Sequence, residues 1–206
     1  PSLKGVRHIG IDEICIGRGP RYLTIVLDWD SGAILFVGEG KSAESLDLFW
    51  RRVRAGRTKI RAVAMDMSAA YQLAVRENLP EAAIVFDRFH VIKLYHEKLT
   101  VLRRQLQREV TSEEQRQVLK GTRWLLLKNP ENLDLRKGEP GRLRRALELN
   151  EPLAIAYYLK DDLKQLWEQP DKQTARRKLY DWYHQAVESG IAILKTFADT
   201  LLYHMH

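Results

Sequence analysis

A single cysteine, Cys15, stands among 206 residues, so no internal disulfide can form and no zinc site built on a cysteine pair is available. Such cysteine usage suits a reducing compartment and predicts a cytoplasmic protein. No apolar run approaches the roughly 18 uncharged residues of a membrane helix, and the stretch at residues 1–5 has no apolar core of a secretion signal. No membrane association is expected. With 12 glycines and 7 prolines, 45% hydrophobic and 30% charged residues, the composition excludes collagen-like, low-complexity and disordered chains. The length suffices for one large domain, or one domain with an insertion, around a substantial core.

Acid is the charge in short supply. Lys and Arg number 34 against 27 Asp and Glu, a net charge of +7 spread over both halves of the chain, and such an excess attracts polyanions by counterion release. Nucleic acid is the first partner to expect. Locally the excess peaks where Arg51, Arg52, Arg54, Arg57, Lys59 and Arg61 fall within eleven residues that contain no acid. This run reads either as a solvated helix end or as a phosphate-binding face.

Periodicity divides the chain. Up to about residue 90, short runs rich in β-branched and aromatic residues alternate with Gly and Pro, the pattern of strands and turns: Val6–Ile16, Tyr22–Trp29, Ala33–Val37, Ile60–Met65 and Ala83–Phe86. Gly17–Pro20 and Asp30–Gly32 suit turns joining the first three strands in antiparallel order. Leu46, Phe49, Trp50 and Val53 recur at helical spacing after a capping Ser42, and a second helix is expected from about Ser68 to Asn78. The order strand, strand, strand, helix, strand, helix, strand requires a mixed sheet with helical crossovers. From Val91 onward long helices take over, with Ile92, Tyr95, Leu99, Leu102 and Leu106 as one apolar stripe and Thr111 with Glu114 as a capping box. Pro130, Gly138–Gly141, Pro152 and Pro170 mark breaks between helices. Trp124, Trp167, Trp182 and the pair Tyr157–Tyr158 are expected as helix-core or interface aromatics.

Three carboxylates end apolar strands. Asp12 lies in Ile9–Glu13, Asp66 follows Ala62–Met65, and Asp87 follows Ile84–Phe86. A carboxylate in an apolar strand needs a cation, a hydrogen-bond partner or an open edge. If the first and fourth strands are neighbours, Asp12 and Asp66 face one another across a gap that Mg²⁺ or Mn²⁺ can fill, since oxygen ligands suit those ions. Each taken alone reads more readily as a cap or turn residue. Other motifs are weaker: Gly40-Lys41-Ser42 has Leu35 where a phosphate-binding loop needs its first Gly, and neither His90 with His96 nor His204 with His206 makes a zinc site.

The blocks Ile9–Glu13, Tyr22–Thr24, Gly38–Gly40, Val63–Met67, Tyr71 and Phe86–Lys93 closely resemble, in order and at matching intervals, the catalytic domain of DDE transposases of the ISL-three insertion-sequence family. The resemblance runs from about Val6 to Leu102. It implies an α/β, RNase H-like mixed five-stranded sheet with a largely α-helical insertion or extension: residues 1–102 as the catalytic core, 103–206 as the helical part. It also implies two-metal phosphoryl transfer on DNA, cleavage and strand transfer at insertion-sequence ends, with Mg²⁺ or Mn²⁺ held by Asp12 and Asp66. Asp87 and His90 match a secondary Asp-x-x-His element. Arg51, Arg52, Arg54, Arg57, Lys59, Arg142, Arg144 and Arg145 are the expected backbone contacts to DNA, and a homo-oligomer is expected on it. The family's third acid, a Glu in a polar Gly- and Asn-containing segment, has no match before His206, so the active site is expected to be incomplete and the isolated fragment inactive. Two other readings are a non-catalytic DNA-binding or assembly module with this fold and an RNase H-like nuclease.

Overall fold

Alternation of buried and open side chains builds the sheet. In β1 (His8–Cys15) Ile9 and Ile11 are buried, in β2 (Tyr22–Asp28) Thr24 and Val26, in β3 (Ile34–Glu39) Leu35, and in β4 (Ala62–Met65) Val63 and Met65; β5 (Ala83–Phe86) completes the set. The computed structural model describes residues 2–17 and 19–205; Arg18 of the expected Gly17–Pro20 turn and His206 lie outside the described residues. The strands form one five-stranded mixed sheet in the order β3-β2-β1-β4-β5, with β1–β2 and β2–β3 antiparallel and β1–β4 and β4–β5 parallel. This is an α/β architecture. The turn after β2 closes through Gly32 N–H donating to Asp28 O at 2.8 Å, with Gly32 at φ +72°, where a side chain would be strained.

Two helices cover the inner face. A 3₁₀ turn (Ala43–Leu46) leads into α1 (Asp47–Ala55), and α2 (Ala69–Asn78) follows β4. Leu46, Phe49, Trp50 and Val53 from the first crossover and Tyr71, Ala74 and Val75 from the second join Ile9, Ile11, Val26, Val63 and Met65 in one core. Ser42 precedes the 3₁₀ turn as expected, but its hydroxyl makes no capping bond.

The chain divides into two compact units, Pro1–Val91 and Ile92–His206. The boundary lies inside α3 (Arg88–Glu109), where Tyr95 already packs against Trp182 and Phe197 of the helical unit. That unit contains α4 (Glu113–Gly121), α5 (Glu139–Glu148), α6 (Glu151–Lys164), α7 (Lys172–Glu188) and α8 (Ala192–Met205). Pro140 and Pro152 occupy the first turns of α5 and α6, where a missing N–H costs nothing, so these prolines start helices. The cap of α4 falls one residue later than expected: the Ser112 hydroxyl, not Thr111, accepts from Gln115 N–H.

Tyr95, Trp182 and Phe197 meet edge to face, with centroids 5.1 to 6.1 Å apart. Trp182 is buried as expected, whereas Trp124 and Tyr158 are exposed, because both lie outside the apolar stripe of their segments. Lys160 is fully buried, and its Nζ donates to the carbonyls of Leu126 at 2.8 Å and Lys128 at 3.0 Å, closing the 3₁₀ turn Leu125–Leu127. Burial, with the charge of Lys164, pulls its ammonium down to about 8 against the opposing Asp161.

Burial and the charges of Lys160 and Lys164 push His96 down to about 4, and its Nε2 is buried without a partner among the described residues. A base with a depressed folded pKa binds fewer protons folded than unfolded between about 4 and 6.5, so its contribution to stability is lost as pH falls through that window. Allowing for solvent screening, wild type should lose about 1 kcal/mol more than His96→Gln between pH 7 and pH 5. Denaturant melts of both proteins at the two pH values check this.

Candidate active site

The parallel pairing of β1, β4 and β5 sets three aspartates in a row. Register partners are Ile9↔Val63 and Gly10↔Ala64, then Ala64↔Val85 and Met65↔Phe86. Continued past the last β1–β4 pair, Gly10↔Ala64, and the last β4–β5 pair, Met65↔Phe86, the same offsets align Asp12 with Asp66 and Asp66 with Asp87, toward the C-terminal ends of β4 and β5. Asp87 N–H donates to Met65 O at 2.9 Å, extending the β4–β5 pairing to this row. Strand alternation puts Asp12 and Asp66 on the face opposite the buried Ile11 and Met65.

A backbone N–H one or two residues on holds each carboxylate by its Oδ1. Asp12 Oδ1 accepts from Glu13 N–H at 2.8 Å and Asp66 Oδ1 from Ser68 N–H at 2.9 Å, while Asp87 Oδ1 accepts from Phe89 N–H at 2.9 Å at the start of α3. Oδ2 of Asp12 and Asp66 accepts no hydrogen bond among the described residues, and neither pairs with a lysine or arginine there. His90 stands between the outer carboxylates: its Nδ1 is 3.0 Å from Asp87 Oδ2 and its Nε2 3.7 Å from Asp12 Oδ1. The first is a hydrogen bond and the second is too long for one. The Asp12 side chain is 55% exposed, so the row is open to a ligand.

As a donor set these residues suit a hard divalent cation in kind: carboxylate oxygens with free lone pairs and no competing cation. In number they fall short of a full set. Among the described residues no group of three or more His, Cys, Asp or Glu lies at metal-holding spacing.

On the inner face a polar network ties down the end of β1. Glu13, Thr24 and Gly38 are register neighbours across β1, β2 and β3. The buried Thr24 hydroxyl lies 2.9 Å from Gly40 O, 2.7 Å from the Ser45 hydroxyl and 2.8 Å from the buried Tyr71 hydroxyl, on which the nearby Glu13 carboxylate acts electrostatically. Burial, and secondarily the Glu13 carboxylate, pushes Tyr71 up to about 12. Glu13 is itself raised by burial and by the charges of Asp66 and Asp12, with Tyr71 and Lys41 holding it down. The residue identities of Thr24, Gly38 and Tyr71 thereby gain a common cause that no spacing rule predicts. Its one sequence signal is three polar or small residues at positions where β alternation calls for an apolar side chain.

Gly38 is the tightest point of the network. A Cβ there would stand 2.1 Å from the Ser45 carbonyl oxygen, so Gly38→Ala must displace the 3₁₀ turn and pull Ser45 from Thr24. A loss of about 2 kcal/mol is expected from such overpacking, read as a shift in the urea midpoint.

The basic residues singled out by density are dispersed. Arg52 donates to Leu35 O at 3.0 Å, Arg54 to Asn78 Oδ1 at 2.6 Å and Arg142 to Gly121 O at 3.0 Å, while Arg145 is ion-paired with Glu114. Arg51 and Arg144 are exposed. Arg57 and Lys59, also exposed, precede β4 and so lie at the opposite end of the sheet from Asp66, roughly 20 Å away at strand rise.

A family model described as Transposase, for DDE transposases of the ISL-three kind, matches residues 9–206. The transposase for insertion sequence element IS1001 of Bordetella parapertussis is 36% identical over 209 residues, covering 100% of this chain and 51% of that protein. The transposase for insertion sequence element IS1557 of Mycobacterium tuberculosis is 29% identical over 222 residues, covering 97% of this chain and 49% of its own length. The chain spans about half the length of the curated relatives it matches.

Proposed function

The chain belongs to the ISL-three family of DDE transposases, and on that premise we propose that its first unit is the catalytic core of a DNA strand-cleaving and strand-joining enzyme. The observation that carries this reading is the register row Asp12, Asp66 and Asp87 at one open edge of the sheet, with His90 between the outer two. The strand order, with β2 antiparallel to a parallel β1–β4–β5 set, supports an RNase H-like sheet.

Asp12 and Asp66 would hold a divalent ion, Mg²⁺ or Mn²⁺, through their uncommitted oxygens. Such an ion supplies Lewis-acid stabilisation of charge on phosphate oxygens. The protein's part is positioning. Asp87 orients the His90 ring so that Nε2 faces Asp12, the arrangement by which a carboxylate sets the tautomer of a ligating or proton-carrying histidine. The Glu13–Tyr71–Thr24 network holds β1 against α2 and so fixes the backbone from which Asp12 projects. The exposure of the row leaves room for a phosphodiester to approach the two free oxygens.

DNA is the partner this reading assigns, the +7 charge supplying attraction without sequence discrimination. Titration of the isotope-labelled full chain with Mn²⁺ tests the core of the proposal. Paramagnetic broadening should centre on the amides around Asp12 and Asp66. Broadening with no such focus would sink it.

A further inference from the structure

The helical unit carries a basic groove that includes none of the residues the sequence nominated for DNA. Arg103, Arg104, Gln107 and Arg108 on α3 and Arg116 on α4 line an open cavity of about 520 Å³. A second, of about 360 Å³, shares Arg104 and adds Lys93, Arg123 and one carboxylate, Glu97, among its walls. Lys93, Glu97, Arg104 and Arg108 recur near helical spacing along one side of α3. The strip from Lys93 to Arg108 extends about 22 Å at 1.5 Å per residue, the axial rise of about six nucleotides of one strand.

The charges in this groove are short of counter-charge. Arg116 is paired with Glu113 at 2.9 Å, but Arg103, Arg104, Arg108 and Arg123 pair with no carboxylate among the described residues. Arg103 is only 6% exposed. Its Nη1 donates to Gln107 Oε1 at 2.9 Å and Leu119 O at 3.0 Å, while its buried Nε has no partner among the described residues. Burial and the neighbouring charges of Arg104 and Arg123 pull its guanidinium below the usual range. Arg123 is held over the ring of Trp124 at 4.4 Å, and that residue is 64% exposed. The buried guanidinium of Arg103, with a donor left over, adds positive potential behind the exposed Arg104, Arg108 and Arg123, whose planar forks suit phosphate.

We infer that this face of α3 and α4 is a second DNA-binding site, taking the sugar–phosphate backbone at a distance in sequence from the catalytic row. The inference rests on the reading of DNA as substrate. It assigns the grip on the duplex to Arg104, Arg108 and Arg123, with Arg103 as the buried cation behind them.

Fluorescence anisotropy with a labelled DNA duplex, measured on the full 206-residue chain over a series of salt concentrations, tests it. Arg104→Gln/Arg108→Gln should weaken binding about tenfold and make the slope of log K against log salt shallower by about 2, one unit for each phosphate that is no longer neutralised. Arg104→Lys/Arg108→Lys should keep most of the slope. Both arginines are exposed, so the melting temperature should not move. An unchanged slope in the glutamine variant, no binding of DNA by wild type, or tighter binding to an RNA duplex than to DNA each overturns the assignment. Failure here is distinguishable from failure of the catalytic reading: Mn²⁺ broadening at Asp12 and Asp66 should survive in Arg104→Gln/Arg108→Gln, and the salt slope should survive in Asp12→Asn.

Discussion

Asp12→Asn should remove Mn²⁺-dependent broadening around the sheet edge and weaken Mn²⁺ binding by more than about 100-fold. Asparagine preserves the shape and the bond from Glu13 N–H, since its side-chain oxygen can still accept. The charge and the second lone-pair oxygen are what disappear. Outer partners of metal ligands already cost about 10- to 100-fold when removed, so loss of a proposed ligand should exceed that. Asp66→Asn should behave alike, its bond from Ser68 N–H being retained for the same reason. Asp87→Asn should cost less, because Asp87 acts on the row through His90 at 3.0 Å. The measurement is Mn²⁺ titration followed by NMR. Equal metal binding in wild type and Asp12→Asn would remove Asp12 from the site.

Trp182→Ala should unfold the helical unit at much lower denaturant. The ring is fully buried, stacks edge-on against Tyr95 and Phe197, and its Nε1 donates to Leu159 O at 2.8 Å. Truncation leaves a large cavity and strips the Leu159 carbonyl of this donor, for a loss of about 3–5 kcal/mol. Trp182→Phe keeps most of the volume and gives up the hydrogen bond, so its loss should be smaller, about 1–2 kcal/mol. Equilibrium unfolding in urea, followed by far-UV circular dichroism, separates the two. A loss under about 1 kcal/mol for alanine would mean that the aromatic cluster is not what holds these helices together.

Much of the first unit was legible because β alternation and turn chemistry are local. All five expected strands occur, within one or two residues at most ends, and Ala83–Phe86 has the expected limits. Which basic residues gather in space was less legible. Density along the chain drew attention to residues 51–61, yet Arg52 and Arg54 are spent on a backbone carbonyl and an asparagine, and Lys59 sits at the far end of β4 from Asp66. Arg103, Arg104 and Arg108 did not stand out, since Gln105, Leu106 and Gln107 dilute them in sequence. Helical spacing and the approach of Arg116 and Arg123 bring them together. The Thr24–Tyr71 contact, spanning 47 residues, was equally invisible.

The amino-acid order by itself determined the elements, the mixed sheet and the three aspartates in or just after apolar strands, because each follows from short-range periodicity and from the cost of a carboxylate in an apolar run. Only the tertiary structure decided the rest. Parallel pairing with β4 between β1 and β5 places Asp12, Asp66 and Asp87 side by side, long-range hydrogen bonds give Glu13, Thr24 and Tyr71 a shared role, and helix packing gathers arginines of α3 that pair with no carboxylate among the described residues. Register and packing depend on which distant residues meet, a property no local pattern contains.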